Sequence, residues 1–271
     1  MKLDVQGRVA YAYTGGKPFD PALPAVVLIH GAQNDHSVWA LQSRALAHHG
    51  RAVLAVDLPG HGRSAGPAPA GVEAAADWVV ALLDALGVRR AALVGHSMGS
   101  LIALEAAARL GERATHLALV GTAFPMKGSP ALLATALERP DEAIDLVTDW
   151  SISTLASKPS APMPGSWLHG SLLALMRRLQ AGYARSGHGN LFHHDFVACD
   201  RYAGGLAAAQ AVRCPTLLVR GSRDAMTRPA AAAGLREALQ ARQVVLPSGH
   251  ALMSEVPDGV RRALQDFLRQ S

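Results

Sequence analysis

Gly95-His96-Ser97-Met98-Gly99 is the stretch on which the reading of this chain turns. It is a G-x-S-x-G pattern, the signature of a sharp strand-to-helix turn that strains the backbone at the serine and leaves no room for a Cβ two residues to either side. The flanks supply the context that the pattern needs. Ala91-Ala92-Leu93-Val94 is a short apolar run, and from Met98 to Leu110 the residues Leu101, Leu104, Ala108 and Leu110 recur at roughly helical spacing. The segment reads either as a nucleophile elbow, with Ser97 as the candidate nucleophile, or as an ordinary glycine turn, and the rest of the chain must decide between them.

A serine needs a base, and the base needs an orienting acid. Thr216-Leu217-Leu218-Val219-Arg220 reads as a strand, and the loop Gly221-Ser222-Arg223-Asp224 after it offers Asp224. Gln243-Val244-Val245-Leu246 reads as another, followed by Pro247-Ser248-Gly249-His250, which offers His250. The chain order serine, acid, histidine fits the elbow motif, and both loops fall at the carboxyl edge of a parallel sheet, where open α/β sheets gather their ligand-binding residues.

With these positions the chain resembles the α/β-hydrolase superfamily, in its serine-nucleophile, cap-containing, esterase-like form. The residues that carry the resemblance are His30-Gly31 after the strand Val26 to Ile29, Asp57-Leu58-Pro59-Gly60-His61-Gly62-Arg63-Ser64 after the strand Ala52 to Val56, the elbow, Asp224, and Gly249-His250. The resemblance implies a mostly parallel eight-stranded sheet flanked by helices, with a core of residues 1–125 and 209–271 and a helical cap inserted at 126–208. It implies a triad of Ser97, Asp224 and His250, with an oxyanion hole from the backbone N–H groups of Ala32 and Met98. Relatives that open epoxides or displace halide carry an aspartate at the nucleophile; this chain has Ser97. An alternative acid position after the sixth strand holds Gly121-Thr122-Ala123-Phe124, which offers no carboxylate.

Composition agrees. The chain has 271 residues, 49% of them hydrophobic, enough for a sizeable core. Its net charge is +5, but pairs such as Arg89-Arg90, Arg177-Arg178 and Arg261-Arg262 are scattered, which argues for a solvated basic surface rather than a nucleic-acid face. Met1-Lys2-Leu3-Asp4-Val5-Gln6-Gly7-Arg8 lacks an apolar core and no apolar stretch is long enough to cross a bilayer, so the expectation is a cytoplasmic protein, monomeric or homodimeric, with no membrane or nucleic-acid partner. Cys199 and Cys214 have no metal-ligand spacing and read as reduced thiols. Neither metal nor cofactor is expected.

Strands are expected at Leu3–Val5, Val9–Tyr13, Val26–His30, Ala52–Asp57, Ala91–Val94, His116–Val120, Thr216–Val219 and Gln243–Leu246, the first two as an antiparallel edge pair. Helices are expected at Val38–His48, Val72–Leu86, Met98–Arg109, Arg228–Leu239 and Ser254–Leu268. Between Phe124 and Ala208 helical segments follow one another without a strand; Ser129-Pro130 and Pro140-Asp141 read as helix starts, and Pro159 to Pro164 as an irregular link.

The pocket candidates are Gln33, Asn34, Phe124, Met126, Trp150, Trp167, Leu168, Phe192, Phe196, Leu252 and Met253, of which Gln33, Phe124, Trp150, Trp167 and Leu252 are the chief substrate-binding positions. His96 is expected to pack or bond locally, Asp57, His61 and Arg63 to be architectural, Trp39 to support the core or the oxyanion loop, and His193-His194-Asp195 not to hold a metal. The expected substrates are small or medium carboxylic esters, thioesters or lactones, with water as second reactant. C–C bond hydrolysis of a vinylogous diketone by the same triad, and ligand binding without turnover, are the alternatives.

Overall fold

The computed structural model describes residues 1–161 and 164–269. Pro162 and Met163, in the expected link from Pro159 to Pro164, lie outside the described residues. In chain order the elements are β1 (Lys2–Val5), β2 (Arg8–Tyr13), β3 (Ala25–Ile29), α1 (Ala40–His48), β4 (Ala52–Asp57), α2 (Val72–Ala85), β5 (Ala91–His96), α3 (Met98–Leu110) and β6 (Ala114–Val120). Then follow α4 (Pro130–Glu138), α5 (Pro140–Ser151), α6 (Leu168–Arg185), α7 (Leu191–Arg201), α8 (Gly205–Ala211), β7 (Thr216–Gly221), α9 (Ala233–Ala238), β8 (Arg242–Leu246), α10 (Leu252–Glu255) and α11 (Pro257–Leu268).

The strands form one sheet in the order β1-β2-β4-β3-β5-β6-β7-β8. β1 and β2 pair antiparallel, as does β2 with β4, and every other pair is parallel. A parallel sheet covered on both faces must bury successive side chains on opposite sides, and the central strands do so. Val27, Ile29, Leu54, Val56 and Leu93 pack with α2 and α3 on one face, while Val26, Leu28, Val53, Ala55 and Val94 pack with Trp39, α10 and α11 on the other. Each fully buried Val, Leu or Ile contributes about 1.5–3 kcal/mol, so these strands hold the frame rigid behind the site.

Two expected helices are divided, the C-terminal one at a proline. Ser254–Leu268 resolves into α10 and α11 because Val256, preceding Pro257, takes an extended φ of −135° and ψ of 56°, which the helix cannot absorb. At Arg228–Leu239, a 3-10 turn, Pro229–Ala232, precedes α9. β5 runs two residues beyond the expected Val94, so His96 lies in the sheet itself.

Between β6 and β7 the regular elements among the described residues are all helices, α4 to α8, joined by loops. Ser129 caps α4 by accepting from the Leu132 N–H at 3.1 Å, with Pro130 at the first helical position. Leu132, Ala136, Ile144, Val147, Met176 and Phe192 form a small core of their own, whereas Cys199, Tyr202, Ala208 and Ala209 join the main core beside α3. The helical segment is thus part subdomain and part extension of the core.

Candidate active site

Ser97 follows the last residue of β5 and takes φ 53° and ψ −122°, a region that non-glycine residues enter only at a cost of about 1–3 kcal/mol. The two glycines make this possible. A Cβ on Gly95 would stand 1.9 Å from the Gly99 carbonyl oxygen, and one on Gly99 would stand 2.3 Å from that of His30. The turn is pinned by the Ser97 N–H donating to Val120 O at 2.9 Å, and by Ser100 Oγ, which donates to Ser97 O and is linked to Thr122 Oγ1 at 2.8 Å.

His250 and Asp224 come from the loops after β8 and β7. His250 Nδ1 donates to Asp224 Oδ2 at 2.9 Å, which fixes the tautomer and leaves Nε2 as the basic atom. Asp224 Oδ1 accepts from the backbone N–H groups of Met226 and Thr227 at 2.9 Å each, and Thr227 Oγ1 donates to Oδ2 at 2.6 Å. Burial alone would raise the Asp224 pKa; the charge and hydrogen bond of His250 and the Thr227 bonds outweigh it and bring it down to about 2. Asp224 is therefore an anion at neutral pH. Backbone packing holds the two loops together, since a Cβ on Gly221 would lie 2.4 Å from the carbonyl oxygens of Ser248 and Gly249.

His96 reaches across the site rather than bonding locally. Its Nε2 donates to the carbonyl oxygen of His250 at 3.0 Å. Burial, and the neighbouring His250 ring at 4.8 Å between centroids, push its pKa down to about 3, so it stays neutral and braces the His250 loop through the backbone. The base loop is held from the other side too: the N–H groups of His250 and Ala251 both donate to Ser151 O, at 2.8 and 3.0 Å, at the end of α5.

Ala32 follows the buried His30-Gly31 pair. Leu58 N donates to His30 Nε2 at 3.1 Å, and burial, with the like charge of His61, brings the His30 pKa to about 4, so the ring is neutral. Met98 is the first residue of α3, whose N–H has no acceptor within the helix and sits at its positive end. Gln33, at φ 54°, has its N–H held at 2.8 Å by Asp195 Oδ2 from α7. The same oxygen accepts from His61 Nε2 at 2.9 Å. Asp195 and His61 are buried almost completely, with side chains 2% and 1% exposed. Burial disfavours both charges, but their mutual attraction prevails, holding the Asp195 carboxyl well below the usual range and raising the His61 pKa. Sequence spacing gave no sign of this pair, because 134 residues separate its members.

Asp57, the last residue of β4, is another buried carboxylate. It accepts from His36 N and Nδ1 at 2.7 Å each and from Arg63 N at 2.8 Å. Asp35, His36 and Asp57 bring ligand atoms within 4.8 Å of one another, but these atoms are already engaged, Asp35 Oδ2 by Arg178 at 2.9 Å.

Ser97, Ala32 and His250 line two adjoining cavities. The first, about 550 Å³, is walled by Val147, Ile152, Leu172, Leu175, Met176 and Met253, with Asn34, Ser37 and Arg178 at a polar corner. The second, about 500 Å³, runs towards Met126, Lys127, Leu132, Trp150 and Arg228. Phe196 belongs to both and Leu168 to the first. The remaining expected pocket residues are placed elsewhere. Gln33 is fully buried beside Gln180, since the Asp195 bond turns its backbone away. Phe124 packs edge-on against Tyr202, 5.7 Å between centroids. Phe192 lies in the helical core, stacked on Phe196. Leu252 is buried with Trp39 beneath the sheet, because α10 turns Met253 to the cavity instead. Trp167 is exposed at the surface, stacked on His169, with its indole N–H donating to Ser157 O. Cys199 and Cys214 are free thiols, both with pKa raised by burial, Cys214 to about 11.

The family profile described as "alpha/beta hydrolase fold" matches residues 24–257, and the chain belongs to that family. Among its relatives is the RutD protein of Klebsiella pneumoniae subsp. pneumoniae, named provisionally as a carbamate hydrolase, 29% identical over 92% of each chain. Another is the dihydrolipoyllysine-residue acetyltransferase component of the acetoin cleaving system of Pseudomonas putida, 38% identical over 125 residues; the match takes in 45% of this chain and only 32% of that protein's length. Among solved structures, the enol-lactonase from Burkholderia xenovorans LB400 superposes with a TM-score of 0.81 at 26% identity, with all of both chains covered. Among the described residues no helix is long and apolar enough to cross a membrane.

Proposed function

We propose that the protein is a serine hydrolase of carboxylic esters, thioesters or lactones, acting through an acyl-enzyme on Ser97. The observation that carries the reading is the strained Ser97 backbone opening on the same cavities as His250, whose Nδ1 is held at 2.9 Å by the ionised Asp224. In this mechanism His250 Nε2 takes the Ser97 proton as Oγ attacks the acyl carbonyl, and the Ala32 and Met98 N–H groups stabilise the oxyanion. His250 then protonates the leaving group, and water, activated by the same base, releases the acid. Residues 126–208 serve as the cap and residues 1–125 with 209–271 as the core. The lactone and carbamate bonds in the names of the relatives are acyl carbonyls open to the same attack.

The test is hydrolysis of p-nitrophenyl esters from acetate to palmitate by wild type and Ser97→Ala. Activity confined to wild type supports the reading, and the chain-length optimum gauges the pocket. A folded Ser97→Ala protein with wild-type turnover would overturn it.

A further inference from the structure

Asn34 stands out among the residues around Ser97. It is 6% exposed, and its side-chain Nδ2 donates to Ala32 O at 3.0 Å, which fixes the orientation of the amide. Its Oδ1 is a buried acceptor with no hydrogen-bond partner among the described residues, and Asn34 is one of the residues that line the first cavity. A buried acceptor left unpaired is unfavourable, and a site of this kind favours a ligand that brings the missing donor.

The same corner leads elsewhere. Ser37 and Arg178 are shared between the first cavity and a groove of about 740 Å³ lined by Gly60, Gly62, Tyr183 and a set of cations. Arg63, Arg178 and Arg185 line that groove with His36 and His188, against the single carboxylate of Asp35. The Asp35 side chain is 5% exposed and grips Arg178 at 2.9 Å, so the guanidinium is held in place. Arg63 is held too, over the Tyr11 ring at 4.8 Å and bonded to its hydroxyl at 2.9 Å. Val147, Ile152, Leu172, Leu175, Met176 and Met253 supply apolar lining to the first cavity.

We infer that the compound cleaved at Ser97 has two unlike arms: an apolar acyl group in the first cavity, and a leaving arm that donates an N–H or O–H to Asn34 and ends in an anion in the arginine groove. This rests on the hydrolase reading above. The groove arginines are exposed, so the anionic arm, protonated by His250 at the departing atom, leaves to solvent while the acyl group stays on Ser97. For a thioester the acyl C–S bond breaks, the thiol departs with that proton, and water supplies the hydroxyl of the released acid.

Butyryl thioesters of one acyl group separate the parts: S-ethyl thiobutyrate has neither feature, the N-acetylcysteamine thioester adds an amide N–H, the 3-mercaptopropionate thioester adds a carboxylate, and butyryl-coenzyme A has amides and phosphates. For wild type, kcat/KM is expected to rise about tenfold from S-ethyl to N-acetylcysteamine, about tenfold from S-ethyl to 3-mercaptopropionate, and by both factors together with coenzyme A. A gain shared by the carboxylate and coenzyme A identifies a general anion site; a gain with coenzyme A alone identifies a phosphate site. Asn34→Leu should bring the first ratio near one. Arg178→Gln with Arg185→Gln should bring the second near one. A flat series in a wild type that hydrolyses p-nitrophenyl butyrate overturns the inference alone. Inertness towards every substrate, p-nitrophenyl butyrate included, fails the hydrolase reading instead; calorimetry with coenzyme A then decides the anion site, and equal affinity in wild type and the double arginine variant overturns it.

Discussion

Replacing Asp195 by alanine removes a buried anion that holds two parts of the protein at once. His61 Nε2 and Gln33 N lose bonds of 2.9 and 2.8 Å, and neither group can reach water. Breaking a buried charge pair by deleting one partner costs about 3–5 kcal/mol, the orphaned amide being part of the same loss. For a chain of this size that is a fall in Tm of roughly 6–20 °C. Catalysis should suffer separately. Gln33 N belongs to the peptide after Ala32, so a slip of about 1 Å there should misplace the Ala32 N–H proposed to hold the oxyanion and lower kcat on the order of 100-fold. The stability gap has a predicted pH profile. The lowered Asp195 pKa stabilises the fold above the ordinary 3.8, and that contribution is lost as pH falls through the folded value. The raised His61 pKa stabilises the fold fully below 6.5, and its contribution is lost as pH rises through the folded value. The gap between wild type and Asp195→Ala should therefore be widest between these limits. Urea unfolding followed by circular dichroism across pH 4–9, with ester turnover on the same samples, measures both effects. A gap under about 1 kcal/mol at pH 6, or one that fails to narrow in alkali, would refute the reasoning.

Asp224→Asn should lower kcat by about 10⁴ without unfolding the protein, since the amide cannot hold His250 in its working tautomer; steady-state kinetics on the p-nitrophenyl esters checks this. Thr227→Val removes the 2.6 Å bond to Asp224 and should cost roughly 10- to 100-fold in kcat/KM. Because the low Asp224 pKa of about 2 gives stability that disappears only as pH falls through that value, the same variant should move acid unfolding to higher pH, as followed by fluorescence. Gly99→Ala places a methyl 2.3 Å from His30 O and should abolish soluble expression, which a fractionated expression test reads directly.

The frame was legible because its signals are local. Glycines two residues either side of a serine, and apolar runs ending in Asp224 and His250, encode backbone geometry that neighbouring residues alone enforce. The aromatic candidates were not legible, since a Trp or Phe reads alike whether it faces a cavity, as Trp150 does, or solvent, as Trp167 does. Long-range polar pairs were hidden for the same reason. His61 and Asp195 each resemble a turn or helix-face residue until folding brings them to 2.9 Å, and His96 finds its acceptor 154 residues downstream. Prolines carried more than was read from them, as Pro257 shows by dividing one expected helix into two.

The two bonds from the His250 loop to Ser151 O give the helical segment a second duty. A shortened protein engineered to open the pocket by excising those helices would lose the carbonyl on which its histidine rests. Substrate range is therefore better widened by recutting the faces of α5 and α6 than by trimming them away.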